Sequence, residues 1–259
     1  MNEIKYAKAP VSEVILGLTF NESFFKKENF NLKLIAELSS EFPIIENHPP
    51  IFNEVFSDGK IIRELNTEKT GEILYRLSTL NRDWLLQIQN NKIYINWMRQ
   101  DNEDVGNYPG YSEIFRRFNN FLTNISTKIG LDKNEIFYLE MTYHDRLDYE
   151  KENITNASDL NNFINLPIPD FRLIGIENEI TGVNNRYTFP LNALNGHLSI
   201  SISNAFSSLD PEKKVFSIQF SIKGKLINKD IQEWFNSANE IQNNLFIKTF
   251  KEVKLNQWL

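Results

Sequence analysis

The chain has no cysteine in its 259 residues. That excludes a disulfide framework, thiol catalysis and cysteine-based zinc or iron–sulfur sites, and it suits a reducing compartment. Only three histidines are present. His48, His144 and His197 show no H-x-H or H-E-x-x-H spacing, so a histidine metal centre would have to be assembled from distant strands. The ten glycines never form G-x-G-x-x-G or a phosphate loop with its lysine, and no serine sits in a G-x-S-x-G elbow. Neither a classical nucleotide fold nor serine nucleophile chemistry is therefore indicated, and no cofactor is implied. Every apolar run is broken by Lys, Glu, Asn or Ser well short of the roughly 18–20 residues that span a bilayer. Glu3, Lys5 and Lys8 stand where a signal peptide would need an apolar stretch, so the expected location is the cytoplasm.

What is present is ordinary for a globular protein. With 41% hydrophobic and 24% charged residues, the composition lies far from the disordered class and supports a chain that folds alone. The formal charge of −6 argues against tight generic nucleic-acid binding, which needs a dense Lys/Arg surface, but it leaves room for a local basic patch. The asparagines are scattered rather than clustered, so they form no prion-like tract.

Residues 11–20 alternate with period two, placing Glu13, Ile15, Gly17 and Thr19 on one side of a strand and Val14, Leu16, Leu18 and Phe20 on the other. Residues 30–42 carry Leu34, Ile35, Leu38 and Phe42 at helical spacing before Pro43. Five short β-rich runs between 51 and 98 follow, punctuated by Asp58-Gly59, Lys69-Thr70-Gly71 and Asn90-Asn91, and read as an antiparallel meander. Tyr108-Pro109-Gly110-Tyr111 leads into a helix whose apolar stripe includes Ile114, Phe118, Phe121, Leu122 and Ile125, and residues 135–147 follow as a long strand. The polar stretch 148–169 reads as a linker or an excursion from the sheet. Strands are expected at 172–180, 186–191, 197–203 and 215–222, then a long helix from about Lys229 carrying Ile231, Trp234, Ala238, Ile241 and Leu245. The expected fold is α+β with antiparallel sheets, in two pseudo-repeated halves, 1–150 and 151–259, each with several strands and one long helix.

The segment 137–146 is the most informative for function. Alternation sends Tyr138, Glu140, Thr142, His144 and Arg146 to one face and Phe137, Leu139, Met141 and Tyr143 to the other. A wholly polar face is usually a solvated one, but an acid, an imidazole and a guanidinium in a row can also hold a phosphate or carboxylate. His144 and Asp145 are neighbours on a strand, point to opposite faces and cannot form a dyad. His48 and His197 read as loop and turn residues. Pro169-Asp170 with Glu177-Asn178-Glu179 lacks the lysine that a metal-dependent nuclease core needs, and a charged strand accounts for it better. The last helix, with Trp234 and the terminal Trp258, offers a surface for a partner.

Four segments together resemble a sporadically distributed bacterial family of uncharacterised proteins of about this length. They are the start from Tyr6 through Ala9-Pro10-Val11-Ser12-Glu13, the Tyr108-Pro109-Gly110-Tyr111 helix opening, the strand Tyr143-His144-Asp145-Arg146-Leu147, and the helix ending near Trp258. Tyr111 and Asp145 depart from the tryptophan and asparagine of the family pattern. The resemblance implies no reaction or ligand; the family's patchy distribution is that of antitoxin-like or phage-defence accessory genes. It singles out Glu13 and Arg146. Together these readings give a non-enzymatic cytoplasmic interaction protein that binds a partner protein, or itself, through the sheet face or the last helix, with Trp234 and Trp258 as contacts. The alternative is a binding or catalytic domain for a nucleotide-like anion held by Glu13, Glu140, His144 and Arg146.

Overall fold

The structure, a computed structural model, describes residues 8–20, 30–51, 53–57, 60–64, 73–89, 91–100, 108–129, 132–166, 168, 182–206, 213–227 and 230–259. The strands are β1 (Val11–Phe20), β2 (Ile44–His48), β3 (Asn53–Ser57), β4 (Lys60–Glu64), β5 (Leu74–Ser78), β6 (Trp84–Gln89), β7 (Lys92–Met98), β8 (Ile136–Asp148), β9 (Asn184–Leu191), β10 (Gly196–Phe206) and β11 (Lys214–Lys225). The helices are α1 (Phe30–Leu38), α2 (Tyr111–Ile129), α3 (Ile231–Thr249) and α4 (Glu252–Trp258). Nine strands make one antiparallel sheet in the order β2-β5-β6-β7-β1-β8-β11-β10-β9. Strands from both 1–150 and 151–259 lie in it, and β8 pairs with β1 on one side and β11 on the other.

The period-two pattern of the central strands decides where the core lies. Val14, Leu16, Leu18 and Phe20 of β1 and Leu139, Met141 and Leu147 of β8 are all buried on the face that receives the helices. From α2, Ile114, Phe118, Phe121, Leu122 and Ile125 enter this layer, and from α3 Trp234, Phe235 and Ala238 do. The two long helices meet where Phe118 and Phe235 pack edge to face at 5.1 Å.

The Tyr-Pro-Gly-Tyr turn fixes how α2 enters. Gly110 has φ +85°, a backbone shape that strains any residue with a Cβ, and its carbonyl accepts from the Ile114 amide. Tyr108 packs on Trp97 at 5.5 Å and places its hydroxyl 3.1 Å from that of Tyr143. Tyr143 in turn donates to Asn239 of α3 at 3.3 Å, and Tyr111 donates to Asn236 at 2.9 Å. The motif thus ties α2, β8 and α3 together on the helix side.

Several expectations are corrected. The runs between 51 and 98 are not one meander, because β3 and β4 form a separate two-stranded sheet. The Gln89 side chain takes both backbone groups of Ile51, accepting from its N–H at 2.6 Å and donating to its carbonyl at 2.9 Å, so a side chain rather than a ladder holds the chain beside β6 here. His48 is not a loop residue but the last residue of β2, an edge strand bracketed by Pro43 and Pro49. The final helix is two, because Phe250 adopts an extended conformation and bridges Ile164 while Lys251 donates to the Phe163 carbonyl at 2.8 Å. The stretch 148–169 is no free linker in its described part: a 3-10 helix, Ala157–Asn162, is closed by an Asn156/Asp159 capping box and buries Ala157 and Leu160. The strand expected at 172–180 and the residues Asp170, Glu177 and Glu179 lie outside the described residues.

Candidate functional site

The face of the sheet turned away from the helices is polar over eight adjacent strands, β5 to β9 in the sheet order, but it is not an ordinary solvated face. Thr142 is fully buried, Asn96 is 1% exposed and Ser199 3%, although no described helix packs there. The polar side chains hydrogen-bond to one another. On the β5 side, Arg76 Nε donates to Gln87 Oε1 at 3.1 Å, Gln87 Nε2 to Asn96 Oδ1 at 3.2 Å, and Asn96 Nδ2 to Glu13 Oε1 at 2.5 Å. Glu13 stands opposite His144 in the β1–β8 register, its other oxygen 3.8 Å from His144 Nε2.

On the β9 side, Lys223 pairs with Glu140 at 3.1 Å. Thr142 Oγ1 lies 3.2 Å from Glu140 and 2.8 Å from Ser221, so donating to the carboxylate leaves it to accept from the serine. Ser199 meets Thr188 at 3.3 Å and the Arg186 guanidinium at 3.4 Å. Chains of this kind hold each member in one orientation.

Between these two networks runs a groove of about 560 Å³, and among the fourteen described residues that line it two are aliphatic, Ile15 and Ile51. Tyr94 and Tyr138 supply rings; Gln87, Gln219, Ser199, Ser201 and Ser221 supply amides and hydroxyls; Lys92, Arg186 and Lys223 outnumber Glu140. Gly17 lies beneath the ring of Tyr94: a Cβ there would come within 2.5 Å of Tyr94 Cδ1 and 3.2 Å of Glu140 Cβ. The glycine is what allows the tyrosine to lie against the sheet.

The four residues singled out on the sequence are not brought to one point. Glu13 and His144 form a pair, both half-buried, and line neither cavity. Burial holds the His144 imidazole below its ordinary value against the pull of Glu13 and Glu140, so it is neutral at pH 7. Glu140 lines the groove, neutralised by Lys223. Arg146, six residues further along β8 and about 20 Å away at 3.3 Å per residue, lines a second cavity with Pro10, Arg99, Lys254 and Trp258.

Trp234 and Trp258 are 1% and 5% exposed. Trp258 packs on Phe250 at 4.8 Å and Phe246 at 5.7 Å, so both indoles belong to the interior. His197, expected in a turn, is a buried residue of β10. Among the described residues, no three His, Asp or Glu side chains gather where a metal ion could sit, and no helix is long and apolar enough to cross a membrane.

The polar residues of β6 and β7, of which Gln87, Lys92 and Tyr94 line the groove, belong to no sequence motif. Gln87 and Gln89, then Lys92, Tyr94 and Asn96, occupy alternate positions of two short strands, which is the same polar parity that marks β8. Ser199 and Ser201, which sit in no nucleophile elbow, line the wall of the groove. The chain matches no protein-family model and none of the curated proteins.

Proposed function

We propose that this protein is a cytoplasmic binding module for a nucleotide-like anionic ligand, seated in the groove on the polar sheet face. The observation that carries this reading is the groove itself: about 560 Å³ is the size of a small-molecule site. Its walls combine the three contacts such a ligand needs. Tyr94 and Tyr138 offer ring faces for a base, worth about 1–3 kcal/mol per stacked base. Gln87, Gln219 and the serines can pair with polar edges, and Lys92, Arg186 and Lys223 can meet the charge. Glu140 acts by holding Lys223 and Thr142 in place, and His144 and Glu13 brace the adjoining strands rather than touch the ligand.

The test is isothermal titration calorimetry with a panel of nucleoside monophosphates. At least one should bind, and Arg186→Ala should weaken it tenfold or more while leaving the melting temperature within a few degrees. Failure of every nucleotide to bind, or binding indifferent to Arg186, removes the proposal.

A partner-protein reading, as an antitoxin-like or defence-accessory component, is supported by a different observation. Ile247, Val253 and Leu259 are exposed on the last two helices and at the carboxy-terminal residue, and they replace the buried tryptophans as contacts. A stable partner co-purifying with wild type but not with Val253→Asp supports this reading; recovery of the same partner by both proteins counts against it.

The two halves also read as one plan used twice. With the halves taken as 1–150 and 151–259, each contributes strands to the nine-stranded sheet and one 19-residue helix, α2 or α3. Membership of the sporadic bacterial family rests on the motifs quoted above.

A further inference from the structure

We infer that the groove is selective for ribonucleotides, and that Glu140 reads the sugar by accepting the 2′- and 3′-hydroxyls of a ribose on its carboxylate. The inference rests on the nucleotide reading of the groove and names what that reading leaves open, the sugar.

A carboxylate in a site for an anion repels the phosphate of the ligand, so its presence there is favourable only where it meets hydrogen-bond donors. Glu140 lines the groove and keeps 16% of its side chain exposed. Its oxygens are held separately, Oε1 by the Thr142 hydroxyl of the same strand at 3.2 Å and Oε2 by Lys223 of β11 at 3.1 Å. A carboxylate offers roughly four acceptor positions, so each oxygen retains one after these contacts. Two acceptors side by side on one rigid group match the two adjacent hydroxyls of a ribose.

The strand register places this carboxylate beside a ring. Gly17 stands opposite Tyr94 of β7 on one side and Glu140 of β8 on the other. Because the glycine has no side chain, the Tyr94 ring occupies its place: a Cβ there would come within 2.5 Å of Tyr94 Cδ1, 2.6 Å of Cε1 and 3.2 Å of Glu140 Cβ. Ring and carboxylate side chain are therefore immediate neighbours over the glycine. Tyr94 is half-buried and lines the groove. A base laid on the groove side of its ring carries a ribose one covalent bond beyond the base, at the margin of the ring where Glu140 stands.

The carboxylate is oriented before a ligand arrives. Thr142, fully buried, donates to Glu140 and accepts from Ser221 at 2.8 Å, which fixes its hydroxyl in one direction. Lys223 stands directly opposite Glu140 in the β8–β11 register and holds the other oxygen. Acceptors fixed by their own neighbours discriminate between ligands, because one that lacks the hydroxyl leaves them unpaired.

The experiment is calorimetric titration of the full chain with AMP, GMP, CMP and UMP and with the 2′-deoxy form of each. The ribonucleotide that binds best should bind about 10–100-fold more tightly than its 2′-deoxy form, the range for a hydrogen bond to a charged group. In Glu140→Gln, which keeps the shape and removes the charge, and in Glu140→Ala, that ratio should fall below about threefold, as a double-mutant cycle between the carboxylate and the 2′-hydroxyl requires. The ratio is the readout, since a loss of packing at Glu140 weakens the two sugars alike. Equal affinity for the two sugars in wild type, or a preference that survives in both variants, overturns the inference and leaves the groove reading standing. Discrimination among bases with none between sugars does the same. Binding of none of these nucleotides overturns both. The wild-type comparison needs no variant, so it decides even where a substitution unfolds the chain.

Discussion

Asp145 should make this protein less stable as pH rises towards 8, and replacing it with asparagine should remove that loss. The side chain is 1% exposed, and neither carboxyl oxygen has a hydrogen-bond partner among the described residues. Burial pushes its pKa from 3.8 up to about 8, against the opposing pull of Arg99. Between those values the folded chain keeps a proton that the unfolded chain releases, so the unfolded state gains as pH rises. The stability held below pH 4 is therefore lost progressively through this window, by up to about 1.4 kcal/mol per pH unit. From pH 5 to pH 7 the loss amounts to about 2.7 kcal/mol, a large share of the 5–15 kcal/mol typical of a folded domain. Asparagine has the same shape and no titration. Urea unfolding followed by tryptophan fluorescence, at half-unit steps from pH 4 to 8.5, should give curves for wild type and Asp145→Asn that meet near pH 4, diverge with the variant the more stable, and run parallel above pH 8. Asp148, whose pKa is lowered although burial opposes the shift, chiefly by its hydrogen bond with Lys213, titrates in both proteins and cancels in the difference. Parallel curves over the whole range would refute the reasoning.

Three further outcomes follow from the geometry. His144 should titrate below 6.5 by NMR, and Glu13→Gln should lower it further, because Glu13 is the leading charge that favours the imidazolium; a rise in Glu13→Gln would contradict the assignment. Gly17→Ala should cost about 1–3 kcal/mol by thermal unfolding, since the new methyl overlaps the Tyr94 ring, and a crystal structure of the variant should find that ring displaced. Phe118→Ala should cost about 3–5 kcal/mol in urea unfolding, as a fully buried ring at the α2–α3 contact is removed; a cost under 1 kcal/mol would mean that the two helices do not share this core.

The local parts of the fold were legible because they are written in local periodicity. The span of β1 matches its alternation end to end, and the apolar stripe of α2 and the polar face of β8 follow the same rule. What escaped was decided by tertiary contacts. β2 is five residues of an edge strand that takes its register from β5, and the break after α3 is made by residues 163–165, some 85 positions earlier in the chain. The same distinction governs the sites. Parity identifies the side of β8 on which Glu140, His144 and Arg146 lie, but it does not give the roughly 20 Å that separates the first from the last. Nor does it reveal that Tyr94 and Lys92, Ser199 and Lys223, contributed by three other strands, share a wall with Glu140. The cavity at Arg146 is still less visible, since its described lining residues come from positions between 8 and 258 and no window of sequence shows them as a cluster.

The central claim is that the polar sheet face binds a nucleotide-like ligand, and the direct measurement is amide chemical-shift mapping of the labelled protein with a nucleoside monophosphate identified by calorimetry. Shifts concentrated on Tyr94, Tyr138, Ser199, Ser221 and Lys223, and abolished in Arg186→Ala, are the expected result. Shifts confined to the helices, or to the cavity at Arg146, would contradict it.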